Sequence, residues 1–228
     1  MKLIIALDVA TQSSALALVE QLDPTVCALK VGHELFTRFG EAFIRVLVKR
    51  QFKVFLDLKF HDIPNTVAEA CKAAADCGVW MMNVHALGGL AMMQAAKHAL
   101  SSYGPQRPLL IAVTVLTSLS EADLSMMGLT ASLTDQCVLL ARLAQRAGLD
   151  GVVSSALEVP FIKAACGAPF LTVTPGIRLA DDARHDQVRC VSPAQAIELG
   201  SDYLVVGRSI TQSAAPMQSI QRLLQVIS

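Results

Sequence analysis

The chain has 228 residues, 53% of them hydrophobic and 5% aromatic, with 19 basic and 19 acidic side chains and a formal net charge of zero. This length and aliphatic content supply a sizeable core, and the even charge excludes the basic face that draws a protein to DNA or RNA. The opening MKLIIALDVA is too short an apolar run for a signal peptide and carries Asp8, and no run reaches membrane-spanning length, so a cytoplasmic protein without membrane contact is expected.

Eight short aliphatic runs follow in order: LIIALD, CALKVG, VFLDLK, WMMNVHA, LLIAVTVLT, GVVSS, FLTVTPGI and YLVVGRS. Continuous runs of this kind suit strands buried on both faces. Between them lie helical stripes. Leu35, Phe39, Phe43 and Val46 form one after the second run. Val67, Ala70, Cys71 and Ala74 form another after the third, with Gly78 placed as a helix stop. The longest connection, residues 118–136, follows the fifth run, and Ala141, Ala144 and Ala147 with Gly148 precede the sixth. The methionine pairs 81–82, 92–93 and 126–127 read as core filling. Six cysteines without CxxC spacing read as reduced structural thiols.

Strand and helix in alternation imply a parallel sheet with right-handed crossovers. Eight units in 228 residues average about 28 residues each, which predicts an α/β fold of the closed (β/α)8 TIM-barrel type as a single domain over 1–228. A doubly wound open sheet would want a glycine-rich turn after the first strand, and LDVATQSS has none.

Active sites of such barrels form at the carboxyl ends of the strands, and the polar residues gather there. Asp8 ends the first run, Lys30 lies late in the second, and Asp57 and Lys59 end the third. Asn83 and His85 end the fourth, Thr114 and Thr117 the fifth, and Arg178 and Arg208 follow the seventh and eighth. Asp57 and Lys59 are two apart, so on a regular strand they face the same way. Lys30 on the next strand can join them, and Asp62 extends an alternating Lys–Asp–Lys–Asp row that compensates its own charge. The same row can also be a structural plug of ion pairs. Gly207 and Arg208 suit a phosphate, with a small residue for close backbone approach and a planar cation. TPGIRLADDARHDQVR can form a lid, with Arg178, Gln187 and Arg189 as phosphate-facing candidates. A lone Gly-Arg is otherwise an ordinary helix-start turn. The five histidines lack metal-ligand spacing, so no metal site is expected, and His61 and His85 suit packing or supporting roles.

DLKFHDIPNT closely resembles the signature of the orotidine 5′-phosphate decarboxylase family. Further blocks extend the resemblance over nearly the whole chain: ALDV, LKVG, NVHALGG, VTVLTS, GLDGVVSSALE, VTPGIR, DQVR and VVGRSITQS. Ser154 in VVSSA and the LADDARH segment depart from the pattern without touching the charged row. The resemblance implies decarboxylation of orotidine monophosphate to uridine monophosphate, the last step of de novo pyrimidine synthesis, with no metal or organic cofactor. By matched positions it implies Lys59 as proton donor and Asp57 beside the substrate carboxylate. Asp8 and Lys30 would bind the ribose hydroxyls, and Thr117 would face the pyrimidine edge. Arg178 would lie in the nucleotide loop, while Gln187, Gly207 and Arg208 hold the phosphate. Asp62 and Thr66 would reach into the neighbouring subunit's site, making a homodimer with shared sites. One rival is a magnesium-dependent phosphosugar enzyme of the same barrel group, against which KFHDIPNT and LTS weigh. The other is an inactive nucleotide-binding barrel, against which the full set of charged positions weighs.

Overall fold

The structure, a computed structural model, describes residues 2–178 and 191–227. Its strands are β1 (Leu3–Ala6), β2 (Cys27–Val31), β3 (Val54–Phe60), β4 (Met81–His85), β5 (Leu109–Val113), β6 (Gly151–Val153), β7 (Leu171–Thr174) and β8 (Tyr203–Val206). Each falls within one of the eight aliphatic runs except β3, which continues one residue past its run to Phe60. All neighbours pair in parallel, and β1 closes on β8 with Ile4 opposite Val205. The fold is a TIM barrel.

Side-chain alternation along the strands divides the apolar residues into two cores. Ile4, Ala28, Phe55, Met81, Ile111, Val173 and Val205 fill the barrel interior. Their neighbours Leu3, Ile5, Leu29, Val54, Leu56 and Met82 belong to the larger core shared with the helices. The register places Ala6, Lys30 and Phe55 side by side. The inward set of β2 and β3 is therefore apolar at Ala28 and Phe55 and turns charged at Lys30 and Asp57.

The helical stripes also form helices. Val67, Cys71 and Ala74 are buried on helix Pro64–Asp76, which starts on a proline, and Gly78 follows with φ of +79°. Leu35 and Phe43 are buried on helix His33–Lys49, which kinks at Gly40 with φ of +59°. The five described cysteines are free and buried, as expected of structural thiols. One pair of methionines departs from the expectation of core filling. Met126 and Met127 are 80% and 53% exposed, while Met81, Met82, Met92 and Met93 are buried. The short helix Glu121–Met126 explains the difference. A Ser120–Asp123 capping box holds its start, and Leu124 is its buried residue.

Ion pairs anchor the amino ends of the later strands. Asp150, just before β6, accepts both guanidinium hydrogen bonds of Arg107 at 2.6 Å and the Leu110 backbone N–H at 2.8 Å, with Lys97 at 3.3 Å. Asp202, just before β8, accepts from Lys163 at 2.6 Å and from the Thr172 backbone N–H at 2.7 Å. Trp80 meets Tyr203 edge to face at 5.4 Å beside the interior core. Burial pushes the Asp150 carboxyl up, but Arg107, the Leu110 N–H and Lys97 together hold it below the usual carboxylate range.

Asp150→Ala should lower stability at pH 7 by about 3 kcal/mol, the order expected for removing one partner of a buried ion pair. Because the folded pKa lies below an unfolded value of about 3.9, this contribution is complete above that pH and lost as pH falls through the folded pKa. Denaturant unfolding of both proteins across that window checks it. A wild-type advantage that persists undiminished in strong acid would contradict the assignment.

Candidate active site

The carboxyl ends of the strands surround a cavity of about 430 Å³. Asp8, Lys30, Asp57, Lys59, Thr117, Arg178, Gly207 and Arg208 all line it. Of the residues expected at the site, Asp62 and Thr66 lie outside this cavity, and Gln187, Arg189 and most of the expected lid fall outside the described residues.

Three charges form its polar floor. Lys59 Nζ lies 2.8 Å from Asp57 Oδ1, and Lys30 Nζ lies 3.3 Å from Asp57 Oδ2 and 3.4 Å from Asp8 Oδ1. The Asp57 and Lys30 side chains are 13% and 12% exposed, Lys59 is 28% exposed, and Asp8 stands open at 58%. Burial pushes Asp57 towards protonation, yet Lys30, Lys59 and the Asn83 hydrogen bond leave its pKa below the ordinary value. Burial likewise disfavours the Lys30 ammonium, and Asp57 and Asp8 more than offset it, so its pKa is raised. Both groups are charged at neutral pH.

The backbone beneath Lys59 is irregular. Leu56 pairs with Met82 and Phe60 with Val84, so four steps along β3 oppose two along β4. Lys59 itself has φ of +49°, in the left-handed region. A non-glycine residue held there costs about 1–3 kcal/mol. The expected pairing of Asp57 and Lys59 at one cavity holds, but through a bulged strand rather than simple alternation. Asn83, fully buried on β4, spans the irregularity. It accepts the Lys59 backbone N–H at 2.7 Å and donates to Asp57 Oδ1 at 2.7 Å. Its place among the polar strand ends was readable in the sequence, but this link was not.

Asp62 turns away from the row. Its Oδ1 accepts its neighbour Ile63's N–H at 2.6 Å, and the residue is exposed. The four-charge row is therefore a three-charge row within one chain, extended by Asp8. Thr66 is exposed as well. His85 stacks on His61 with centroids 5.4 Å apart. Burial, the neighbouring His61 and the Lys59 charge hold its pKa below the ordinary histidine value. The pair supports the rim without lining the cavity.

At the far end of the chain, Arg208 opens helix Arg208–Thr211 directly after Gly207. A Cβ on Gly207 would stand 3.5 Å from Asp8 Oδ2, an ordinary contact, so Gly207 lies directly beside Asp8 at the mouth. Gln212, unassigned in the sequence, also lines the cavity. The signal was its spacing of four from Arg208, which puts both on one side of a helical turn. The cavity thus joins a charged floor to a cationic rim, with apolar Val113, Val115 and Val153 in its lining. Such a site can take a flat ring bearing an anionic group at one place and a second anion at another.

A family model described as "Orotidine 5′-phosphate decarboxylase / HUMPS family" matches residues 1–223. An orotidine 5′-phosphate decarboxylase of Legionella pneumophila (strain Corby) is 61% identical over 224 residues, covering 98% of each chain. One from Glaesserella parasuis serovar 5 is 54% identical over 227 residues, covering 100% of this chain and 99% of its own. Among solved structures, the orotidine 5′-phosphate decarboxylase of Lactobacillus acidophilus superposes with a TM-score of 0.89 at 38% identity, covering 100% of this chain and 99% of that one.

The balance at Asp57 can be tested by removing one cation. Lys59→Met should raise the Asp57 pKa, because the burial penalty stays while one opposing charge goes. Carboxyl-carbon NMR titration reads this directly. In the wild type, a depressed Asp57 contributes stability above its unfolded pKa of about 3.9 and loses it as pH falls through the folded value. An Asp57 titration unmoved by the substitution would dissolve the coupling.

Proposed function

The chain belongs to the orotidine 5′-phosphate decarboxylase / HUMPS family, and from that premise we propose that its charged floor is the reaction centre, with Lys59 as the proton source. The enzyme is a carboxy-lyase that converts orotidine 5′-monophosphate to uridine 5′-monophosphate in pyrimidine biosynthesis. The observation that carries the mechanism is the Lys59 ammonium 2.8 Å from Asp57 inside a cavity also lined by Arg178 and Arg208.

Breaking the bond to the carboxylate carbon releases carbon dioxide and leaves its electron pair on C6, in the plane of the ring. The ring's π system cannot delocalise that pair, so the stabilisation has to come from fixed charges nearby. The Lys59 ammonium meets the developing carbanion electrostatically and then donates a proton to it, forming the C–H bond of the product. Asp57 lies beside the departing carboxylate. Asp8 and Lys30 hold the ribose hydroxyls, and Thr117 faces the pyrimidine edge. Gly207, Arg208 and Gln187 grip the phosphate, with Arg178 in the adjoining loop. That grip is remote from C6, so its binding energy can order the charges around the reacting carbon. No metal or organic cofactor enters these steps.

The working unit in this reading is a cytoplasmic homodimer. Among the described residues, no helix is long and apolar enough to cross a membrane. Ile63, Leu87, Leu116, Met126 and Met127 are exposed by 67%, 44%, 38%, 80% and 53%. They lie on the connections after β3, β4 and β5, the first of which also carries Asp62 and leads into the helix of Thr66. A second copy of the chain that covers this apolar surface brings Asp62 and Thr66 towards the partner's cavity.

Metal-stripped protein should consume orotidine monophosphate in an ultraviolet assay, and Lys59→Ala should abolish turnover while the protein still melts cooperatively. Activity lost to a chelator and restored by magnesium would point instead to the phosphosugar chemistry of the barrel group. Near-wild-type rates in Lys59→Ala would remove Lys59 from its role.

The shared site predicts complementation. Lys59→Ala and Asp62→Ala proteins, each nearly inactive, are unfolded and refolded together. Each mixed dimer has one site with both lesions and one with neither. Random pairing makes about half the dimers mixed, so about one quarter of all sites should be intact. Mixed dimers confirmed by native mass spectrometry but without recovered activity would confine Asp62 to its own chain.

A further inference from the structure

We infer that Asn83 is a positioning residue for the decarboxylation, its buried carboxamide fixing the angle at which the Lys59 ammonium and the Asp57 carboxylate meet the substrate. The inference rests on the reaction proposed above and deepens it. Asn83 does not line the cavity. It acts through the two residues that do.

Three observations carry the argument. Asn83 has no exposed surface, and an amide buried to this degree needs partners for both ends. Its partners are unlike. The Lys59 backbone N–H can only donate, and the Asp57 carboxylate can only accept, with both contacts at 2.7 Å. A group with one acceptor and one donor, set apart by the width of a carboxamide, satisfies both. Finally, the bond to Lys59 falls where the β3–β4 register shifts and the Lys59 backbone is left-handed. At this point a side chain of β4 stands in for the ladder. One residue thus holds the strained backbone of the proton donor and one oxygen of the carboxylate beside it. The same Asp57 oxygen also receives Lys59 Nζ at 2.8 Å. The backbone N–H, the carboxamide, the carboxylate and the ammonium therefore close a ring that begins and ends on Lys59.

The neighbourhood makes this testable by protonation. The charged and titratable groups around the carboxamide are Asp57 and Lys59 from β3, Lys30 from β2 with Asp8 beyond it, and His85 on its own strand with the stacked His61. On the β5 side its register partner is the apolar Ile111. Asn83→Asp replaces the donor end by an oxygen. Ionised, that oxygen repels Asp57. Protonated, it donates to Asp57 while the other oxygen still accepts from Lys59, which restores the native pattern.

The experiment measures kcat and KM for orotidine monophosphate between pH 5 and 8 for wild type, Asn83→Asp and Asn83→Ala. Uridine monophosphate affinity is measured by calorimetry alongside. At pH 8 both variants should lose about 100-fold or more in kcat, the scale of a small misplacement of reacting groups, with product affinity nearly unchanged. Relative to wild type, Asn83→Asp should then recover by up to about tenfold per pH unit as pH falls towards the apparent pKa of the two facing carboxylates. Asn83→Ala should show no such recovery. A flat relative profile for folded Asn83→Asp overturns the inference, and so does an Asn83→Ala enzyme with wild-type kcat. If Asn83→Asp fails to fold, Asn83→Ala decides: kcat lost at retained product affinity supports positioning, and loss of both together overturns it. An inactive wild type would bring down the decarboxylase reading itself, whereas an active wild type with indifferent Asn83 variants brings down this inference alone.

Discussion

A carboxylate buried between two ammonium groups governs the mouth of this barrel. Moving a charge of that size out of water costs several kcal/mol even after relaxation. Asp57 carries that penalty because Lys30 and Lys59 face its two oxygens and Asn83 adds a hydrogen bond. These groups come from three adjacent strands. The charge is affordable only when β2, β3 and β4 are in register, so the site cannot be assembled ahead of the sheet that carries it. Lys30 shows the same dependence in reverse, since its ammonium survives burial through Asp57 and Asp8.

The opposite end of the barrel shows buried carboxylates in a different setting. Asp150 and Asp202 are also carboxylates paired with cations, but each also accepts a backbone N–H from the neighbouring strand. Their ion pairs tie strand starts together. The partners of Asp57 are side chains, and the cluster lines the cavity at the carboxyl ends of the strands. Depressed carboxylate pKa values occur at both ends and do not separate the two roles. What separates them is the backbone N–H bound by each carboxylate at the strand starts, where Asp57 has side-chain partners.

Much of this was legible in the sequence because burial leaves a periodic trace. Eight aliphatic runs located eight strands, and the change from apolar to charged residues within VFLDLK marked the end of β3 that meets the cavity. The legible part of the site consisted of residues at strand ends. The bulge was not legible, because nothing in the residues around Lys59 specifies a left-handed backbone at a lysine. Nor was the Asn83 bridge, which joins residues 24 and 26 positions apart through register alone. Met126 and Met127 misled because hydrophobicity reports a tendency to be covered, without saying by what. Asp62 was readable as part of a charge row, but its turn away from that row depends on the chain leaving the strand after Phe60.

The left-handed backbone at Lys59 has a consequence for how this enzyme would respond to selection. Glycine and asparagine adopt that conformation more readily than lysine, so on conformational grounds alone position 59 has better occupants than its own. Those occupants would leave the buried Asp57 with one cation fewer, and the loss of that ion pair opposes the conformational gain. Backbone conformation and charge pull this single position in opposite directions, and the lysine found there marks a place where an ion pair outweighs the strain beneath it.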